Sequence, residues 1–518
     1  MRRLALLLAA TLLAGLPVPH ASAYTRAEAT ITSADGTELH ATVFRDDGAR
    51  GRQPVVLLVS PYLGSSVAPQ YAELARLVNR GYTLVQVSLR GFGESAGCSD
   101  FGGKGEQADV KAAVEWAAKQ SWSTGRVGMW GVSYDAWTQV MALATKPKGL
   151  AAAVIQSPLV SLYRGLYMNG AHYSGGWWTT PALYGQQQLS SGEPPAPEEV
   201  PCHAANLTET LMPTGDSAYW KERDLVDRAK GSTVPVLWSH GFRDANTKPD
   251  NLSALYPLLR GPKRAWVGQF AHQYPTDRNE PEVRERYIRE AFDWLDAYVK
   301  RDPKALRRVR GQSGAVVQTW DDEWRGDTAW PPKDMKPLAT ALRSGTYADV
   351  VANEGGTGNE AGATLWSISQ PLPYDVHLSG VPRVTVSATG EGPAQVVVKV
   401  FDIAPEGGAA TLVTRGIHAF VSGKVSFDLY PQDWRFARGH RIGVAVLGND
   451  GSYWQERPTG VVTVESPSIA LPLLRYDRAT DPVLFDEGVE PNPEFHLDDA
   501  TITANQTTFR LPPKMRRR

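Results

Sequence analysis

The stretch that decides the fold is Val127-Gly-Met-Trp-Gly-Val-Ser-Tyr-Asp-Ala-Trp137. Its first four residues are typical of a buried strand, and the residues after Ser133 are typical of an apolar helix. Between them, Gly131-Val-Ser133 predicts the sharp strand-to-helix turn of a nucleophile elbow, which exposes a serine hydroxyl to a base and to a carbonyl. The generic elbow has Gly two residues after the serine, where this chain has Asp135. The alternative is a coincidental Gly-x-Ser.

Strand-like and helix-like segments alternate around this turn, which favours a mostly parallel α/β sheet covered by helices. Residues 55–59, 82–87, 151–156, 234–239 and 264–268 predict strands, and residues 71–80, 107–120 and 282–299 predict helices. Residues 158–230 lack the alternation and are rich in Tyr, Trp, Gly and Pro, so they predict an inserted, largely helical cap. We expect an α/β-hydrolase core over residues 24–310, cap included.

Residues 311–518 differ in character, because short β-rich runs separated by Gly and Pro replace the helical periodicity. Such runs occur at 384–386, 396–400, 425–429, 442–447 and 461–464. They predict a C-terminal all-β sandwich or jelly roll.

Residues 1–23 have the features of a secretory signal peptide. A basic Arg2-Arg3 start and an apolar run over residues 4–16 precede Ala21-Ser-Ala23, a typical cleavage sequence. We expect removal of this segment and secretion to the extracellular or periplasmic space; the alternative is a buried N-terminal helix. No later run reaches about 18 apolar residues, which predicts no membrane association of the mature chain.

The charge balance argues against nucleic-acid binding, because 54 basic residues face 55 acidic residues in the 518-residue chain. Two cysteines exclude a Cys-rich zinc domain, and we expect neither metal nor cofactor. In the oxidising compartment that a signal peptide implies, Cys98 and Cys202 could pair and link the cap to the core. Two independent thiols are the alternative.

A serine nucleophile needs a base and an acid, and in α/β-hydrolases the chain order is Ser, then Asp or Glu, then His. Asp244 follows the strand predicted at 234–239, and His272 follows the strand at 264–268, so both come in the right order. His240 ends the earlier strand, and we interpret it as a structural histidine. A loop histidine without catalytic function is the alternative for His272.

Acyl transfer also needs hydrogen-bond donors for the oxyanion. The backbone N–H of Tyr134 is one, because it follows the nucleophile directly. The second is expected from the loop after residues 55–59, where the Tyr62 hydroxyl is a candidate. A tyrosine that only packs in this loop is the alternative.

Several motifs resemble the serine hydrolase family that contains cocaine esterase, α-amino-acid ester hydrolases, glutaryl acylases and X-Pro dipeptidyl-peptidases. The similar segments are the elbow at 131–139, the pair Pro61-Tyr62, the loop Ser88-Leu-Arg-Gly-Phe-Gly-Glu-Ser-Ala-Gly97, the segment Tyr219-Trp-Lys-Glu-Arg-Asp-Leu225, and residues 378–382 and 401–407. The resemblance spans about residues 30 to 510. It implies the roles given above for Ser133, Asp244, His272 and Tyr62.

Two residues depart from the family pattern. Ser88 replaces an Asp, so a hydrogen bond that braces the Arg90 loop is expected to be missing or changed. Ala136 replaces a Gly beside the elbow, which is expected to shift helix packing by about a methyl group.

The sequence therefore predicts a secreted serine hydrolase that acts on a small peptide or ester, with an X-Pro dipeptidyl-peptidase-like activity slightly favoured. A carboxylesterase or α-amino-acid ester hydrolase is the alternative, and a non-catalytic carbohydrate-binding protein is a remote one. A peptidase that recognises a free ammonium group needs carboxylates near the nucleophile. The candidates in the cap are Glu193, Glu198, Glu199, Asp216, Glu222 and Asp224, of which Asp224 could instead pair with Arg223 or Arg228.

Overall fold

A computed structural model describes most of the chain. The described residues are 24–63, 72–174, 200–277, 281–319, 323–349, 364–405, 410–451, 453–455, 460–474, 483–486 and 506–509. The expected signal peptide and the candidates Glu193, Glu198 and Glu199 lie outside them. Within the described ranges, no helix is long and apolar enough to cross a membrane.

Strands from both halves of the chain build two large sheets. In chain order the described strands are β1 (Tyr24–Thr32), β2 (Glu38–Asp46), β3 (Gln53–Ser60), β4 (Thr83–Ser88), β5 (Ser123–Val132), β6 (Leu150–Gln156), β7 (Tyr167–Met168), β8 (Ala171–His172), β9 (Val236–Gly241), β10 (Lys263–Gly268), β11 (Ala315–Gln318), β12 (Glu323–Asp327), β13 (Met335–Ala341), β14 (Gly345–Asp349), β15 (Thr364–Ser369), β16 (Val376–Gly380), β17 (Arg383–Ile403), β18 (Ala410–Asp428), β19 (Gln432–Phe436), β20 (Arg441–Leu447), β21 (Gly460–Leu474), β22 (Val483–Asp486) and β23 (Gln506–Phe509).

The helices are concentrated in the first 310 residues. They are α1 (Ala72–Asn79), α2 (Lys104–Lys119), α3 (Tyr134–Thr145), α4 (Leu162–Leu166), α5 (Val200–Thr210), α6 (Ala218–Arg223), α7 (Val226–Ala229), α8 (Asp250–Leu255), α9 (Pro281–Leu295) and α10 (Pro303–Arg310), with 3₁₀ turns at Tyr256–Leu258 and Pro275–Asp277. The helix predicted at 282–299 ends at Leu295 and continues as a π-helical turn, Asp296–Lys300.

The first sheet has the order β1-β2-β4-β3-β5-β6-β9-β10-β11-β12-β22. Strands β4 to β11 along this order are parallel, and the flanking strands are antiparallel. In β3, Val55, Leu57 and Val59 pack into one hydrophobic core, and Val56 and Leu58 pack into the core on the opposite face. The run 55–59 is continuously apolar because helices cover both faces of the sheet.

The sheet continues past residue 310, where the composition changes. Strand β11 pairs in parallel with β10, β12 pairs with β11, and β22 returns from far along the chain to pair with β12. The four residues of β11 are all buried, so they complete the α/β core rather than begin a new one. The change in sequence pattern near residue 310 therefore does not mark the end of the first sheet, which continues through β11 and β12.

The second sheet, built from the remaining C-terminal strands, has ten strands with the order β19-β16-β21-β17-β20-β15-β23 along its main path. Strands β13 and β14 also pair with β21, and β18 pairs with β17. The predicted runs at 384–386 and 396–400 belong to one long strand, β17, whose pairing with β18 is irregular between Thr389 and Ala394.

A buried ion pair joins the two sheets. The Arg325 guanidinium on β12 donates to both carboxylate oxygens of Asp433 on β19, over 2.9 and 2.8 Å. Asp433 also accepts from Ser379 Oγ (2.6 Å) and lies 2.7 Å from His377 Nε2. Burial raises the pKa of Asp433, but the charges of Arg325 and His377 outweigh burial and hold it well below its usual range.

Candidate active site

Ser133 lies at the turn between β5 and α3 in a conformation that few non-glycine residues adopt. Its φ is 54° and its ψ is −120°, and its N–H donates to the carbonyl of Gln156 on β6 over 2.9 Å. A Cβ on Gly131 would lie 2.6 Å from Cβ of Asp135, so the turn requires glycine there. Asp135 is tolerated at the position of the generic elbow glycine because Gly131 makes room for it.

His272 lies between Ser133 and Asp244. His272 Nε2 is 3.1 Å from Ser133 Oγ, and His272 Nδ1 is 2.9 Å from Asp244 Oδ2. The three residues are brought together because Ser133, Asp244 and His272 follow the carboxyl ends of parallel strands β5, β9 and β10. Since Nδ1 donates to the carboxylate, Nε2 is the nitrogen that accepts the serine proton.

The Asp244 carboxylate is fully buried and held by its own loop. One oxygen accepts from the N–H groups of Asn246 and Thr247, each over 2.9 Å, and the other accepts from Thr247 Oγ1 over 2.8 Å. Burial raises the pKa of Asp244, but the charge and hydrogen bond of His272 outweigh burial and keep it below its usual range. The carboxylate therefore stays ionised beside the imidazole.

His240 is completely buried, with its Nε2 3.8 Å from Asp244 Oδ2. Desolvation lowers its pKa to about 4, so the ring is neutral at physiological pH. The same nitrogen lies 3.5 Å from Thr247 Oγ1, so the ring packs against the loop that holds the acid.

Two hydrogen-bond donors converge at the elbow. The Tyr62 hydroxyl lies beside the Ser133 side chain and the backbone N–H of Tyr134, and both lower its pKa. The Tyr62 N–H donates to Ser60 Oγ over 2.9 Å, which fixes the start of this loop. Burial, and then the charge of Asp135, raise the pKa of Tyr62, so the phenol keeps its proton. The arrangement places a phenol and an amide N–H where an oxyanion would form.

Two family models match most of the chain. The model for X-Pro dipeptidyl-peptidase (S15 family) matches residues 35–274, and the model for the X-Pro dipeptidyl-peptidase C-terminal non-catalytic domain matches residues 298–482. The chain belongs to the X-Pro dipeptidyl-peptidase (S15) family. It is a hydrolase with an α/β-hydrolase fold and a C-terminal β domain.

Relatives within this family carry two kinds of name. A provisionally named Xaa-Pro dipeptidyl-peptidase of Streptomyces avermitilis is 27% identical over 355 residues, which are 60% of this chain and 50% of that protein. The cocaine esterase of a Rhodococcus species is 26% identical over 392 residues, covering 65% of this chain and 67% of the esterase. The chain thus spans half the length of the Streptomyces relative and two thirds of the esterase.

Solved structures show the same fold. A CocE/NonD family hydrolase from Staphylococcus aureus has a TM-score of 0.69 at 16% identity, covering 86% of this chain and 93% of that one. An α-amino acid ester hydrolase has a TM-score of 0.67 at 19% identity, covering 89% and 99%.

A buried carboxyl behind the elbow was not predicted from the sequence. The Tyr134 hydroxyl donates to Glu106 Oε2 over 2.6 Å, and Ser99 Oγ donates to Glu106 Oε1 over 2.6 Å. Burial, and then the charge of Asp100, raise the pKa of Glu106 to about 7. Its position in the first turn of α2 is ordinary for a glutamate, so the local sequence carried no signal of this contact.

The segment 219–225, similar to a family motif, fastens the inserted helices to the core. The Arg223 guanidinium donates to the carbonyl of Asp100 over 2.7 and 3.2 Å and lies 3.6 Å from the centre of the Tyr219 ring. Beside this contact, Cys98 and Cys202 form a disulfide across a sequence separation of 104. The loop after Cys98 is therefore held from two sides, next to the residues that contact Glu106.

Of the insertion's carboxylates, the described ones do not gather at the nucleophile. Asp216 and Asp224 are exposed, and Asp224 accepts from the N–H of Val226 over 3.1 Å rather than from Arg223 or Arg228. Glu222 contacts Lys104 and Arg223 at the surface. In the described ranges, no cluster of three or more His, Cys, Asp or Glu side chains is placed to hold a metal ion.

The departure at Ser88 does not leave the Arg90 loop unbraced. Arg90 donates to both oxygens of the buried Asp109, each over 2.7 Å, and to Asp35 over 2.8 Å. Ser95 Oγ donates to the Ser88 carbonyl over 2.8 Å. At the second departure, Ala136 is fully buried in the first turn of α3.

Proposed function

We propose that Ser133, His272 and Asp244 form a catalytic triad that hydrolyses an acyl bond through an acyl-enzyme. The continuous hydrogen-bonded chain from Asp244 through His272 to Ser133, with contacts of 2.9 and 3.1 Å, carries this proposal. His272 takes the serine proton as Ser133 attacks the carbonyl, and the buried Asp244 stabilises the imidazolium. Water then attacks the acyl-enzyme, with His272 again as the base.

We propose that the oxyanion of each tetrahedral intermediate is held by the Tyr62 hydroxyl and the Tyr134 N–H. The Tyr62 hydroxyl and the Tyr134 N–H lie beside each other at the elbow, so both can donate to an oxyanion formed there. Both donors are buried, and hydrogen bonds to a developing charge are strong in a water-excluded site.

A fluorophosphonate probe tests the nucleophile. We expect the wild-type protein to be labelled at Ser133 and the Ser133→Ala variant to remain unlabelled. As a matched control, Ser157→Ala removes a buried serine at the end of β6 and is expected to label normally. Labelling that persists in Ser133→Ala would place the reactive nucleophile elsewhere, and absence of labelling in wild type would favour a non-catalytic binding protein.

For the substrate, we propose an X-Pro dipeptidyl-peptidase-like activity on small peptides. The match to both the catalytic and the C-terminal model of these enzymes supports it. The test compares Gly-Pro anilide with its N-acetylated form. Preferential cleavage of the free amine is expected, whereas equal turnover of both would contradict the peptidase.

A carboxylesterase is the second candidate. The described candidate carboxylates of the insertion, Asp216, Glu222 and Asp224, are exposed or paired with basic side chains, which favours a substrate without a free amine. Good hydrolysis of simple phenyl esters, together with no turnover of either anilide, would select this function.

We also propose that the described parts of residues 158–230 form a helical cap over the nucleophile; residues 175–199 of this range lie outside the described residues. We further propose that the C-terminal domain is a jelly roll and that the chain is exported. The helices α4 to α7 between β6 and β9 support the cap. The Cys98–Cys202 disulfide supports export, because structural disulfides persist in oxidising compartments. Amino-terminal sequencing of the protein recovered from culture medium is expected to begin near Tyr24, and an intact Met1 in the cell fraction would contradict export.

A further inference from the structure

The Tyr274 hydroxyl contacts Nε2 of His272, the same ring nitrogen that contacts the Ser133 hydroxyl. The Tyr274 hydroxyl is 3.0 Å from His272 Nε2, and Ser133 Oγ is 3.1 Å from the same nitrogen. Three polar groups therefore meet at the point where the triad transfers its proton.

The neutral imidazole offers only one lone pair at this point. Because Nδ1 donates to Asp244, Nε2 has a single in-plane lone pair, which accepts one strong hydrogen bond. Before attack, Ser133 needs this acceptor. After attack, Ser133 Oγ is bonded to the acyl carbon and Nε2 carries the proton, which must next reach the leaving group. The Tyr274 oxygen already lies at hydrogen-bond distance from that proton.

Tyr274 has the properties of a proton relay. Its side chain is only 8% exposed, and its ring packs edge-on against the His272 ring with 5.4 Å between centroids. Burial, followed by the neighbouring Tyr62 phenol and the Asp244 carboxylate, raises its pKa well above the ordinary value, so the group is a neutral phenol. A neutral phenol can accept one proton while it donates its own.

We propose that Tyr274 is a further catalytic residue, which relays the proton between His272 and the leaving group; this inference rests on the proposed hydrolase function. As the tetrahedral intermediate collapses, the bond from carbon to the leaving nitrogen breaks and its electron pair stays on nitrogen. The Tyr274 O–H proton passes to that nitrogen, and the His272 Nε2 proton passes to the Tyr274 oxygen. The phenol and the neutral imidazole are both restored.

Deacylation runs along the same path in reverse. The attacking water gives its proton to the Tyr274 oxygen, and Tyr274 gives its own proton to His272 Nε2. When the second intermediate collapses, His272 returns that proton directly to Ser133 Oγ, which lies 3.1 Å away. No charge or proton is left on Tyr274 at the end of the cycle.

The relay matters most for amides. An amine must be protonated as it leaves, whereas p-nitrophenol leaves as a stable phenolate and needs no proton. Loss of the Tyr274 hydroxyl should therefore slow acylation by an amide and spare acylation by an activated ester. A residue that only positions His272 would affect the two substrates equally, since both need the base.

The experiment measures kcat/KM of Tyr274→Phe for one acyl group presented both as an alkyl amide and as a p-nitrophenyl ester. General acid–base groups contribute about 10²- to 10⁴-fold, and His272 remains in place, so we expect a fall of at least tenfold for the amide and less than about threefold for the ester. Equal falls for both substrates, or no change in either, would overturn the relay.

Three controls separate this inference from the hydrolase proposal. Tyr256→Phe removes the hydroxyl of another buried tyrosine, which packs against Trp238, and is expected to leave both rates unchanged. Tyr62→Phe is expected to slow both substrates alike, because an oxyanion forms with either leaving group. Ser133→Ala is expected to abolish both activities. Hydrolysis that survives in Ser133→Ala refutes the triad. If only the relay is wrong, Ser133→Ala still abolishes hydrolysis of both substrates.

Discussion

The buried pair between Arg325 and Asp433 gives a stability prediction whose magnitude follows from its environment. Both side chains are at most 5% exposed, and two bonds of 2.9 and 2.8 Å join them. Asp433→Ala leaves the guanidinium buried without its carboxylate, and His377 and Ser379 lose an acceptor. Breaking such a pair from one side costs about 3–5 kcal/mol, so we expect the free energy of unfolding of the β domain to fall by that amount.

Urea unfolding at pH 7, followed by circular dichroism and tryptophan fluorescence, measures this change. The exposed pair Arg383–Asp428, with side chains 61% and 53% exposed and 3.3 Å between the charged atoms, provides the matched control. Asp428→Ala is expected to cost less than about 1 kcal/mol, because solvent screens such pairs.

The double variant Arg325→Met/Asp433→Leu distinguishes the free-energy cost of a buried unpaired charge from the cost of lost packing. Since neither Arg325 nor Asp433 is then left buried without the other, we expect the double variant to recover at least half of the loss in the single variant. A single-variant loss below about 1 kcal/mol, or a double variant no more stable than the single one, would refute the reasoning.

Three further predictions concern the elbow and its surroundings. Replacing both Cys98 and Cys202 by Ser removes a disulfide across a sequence separation of 104. In the chain-entropy model the free energy of unfolding should fall by up to about 4–5 kcal/mol, and an unchanged thermal midpoint under oxidising conditions would contradict this. Gly131→Ala places a Cβ 2.6 Å from Asp135 Cβ and should lower the unfolding free energy by about 1–3 kcal/mol in urea titrations. The control is Gly311→Ala, at an exposed glycine with a φ of −81° and no contact closer than 3.5 Å, and a loss no larger than in that variant would argue against crowding. Glu106 holds its proton to a pKa of about 7 when folded but releases it near 4.5 when unfolded, so its contribution to stability should decline as pH rises from 4.5 past 7. Glu106→Gln should flatten that decline, and equal pH slopes would count against the assignment.

Much of the fold follows from local pattern. Continuous apolar runs such as residues 55–59 indicate strands covered on both faces, and the structure places them in the centre of the parallel sheet. The positions of Ser133, Asp244 and His272 after successive strands were sufficient to nominate them, because the carboxyl ends of parallel strands meet at one edge. Tyr62 and Tyr134 were nominated in the same way, from their places after β3 and within the elbow.

Contacts between residues that are far apart in the chain were determined only by the tertiary structure. The Arg325–Asp433 pair spans 108 positions, and the contact between Glu106 and Tyr134 spans 28. Strand β22 joins the first sheet although it lies in the chain between β21 and β23 of the second sheet. Tyr274 follows His272 by only two residues, yet its role depends on where its hydroxyl points, which a loop sequence does not specify. Local periodicity records which face of an element is buried, whereas the choice of partner depends on how the elements pack in three dimensions.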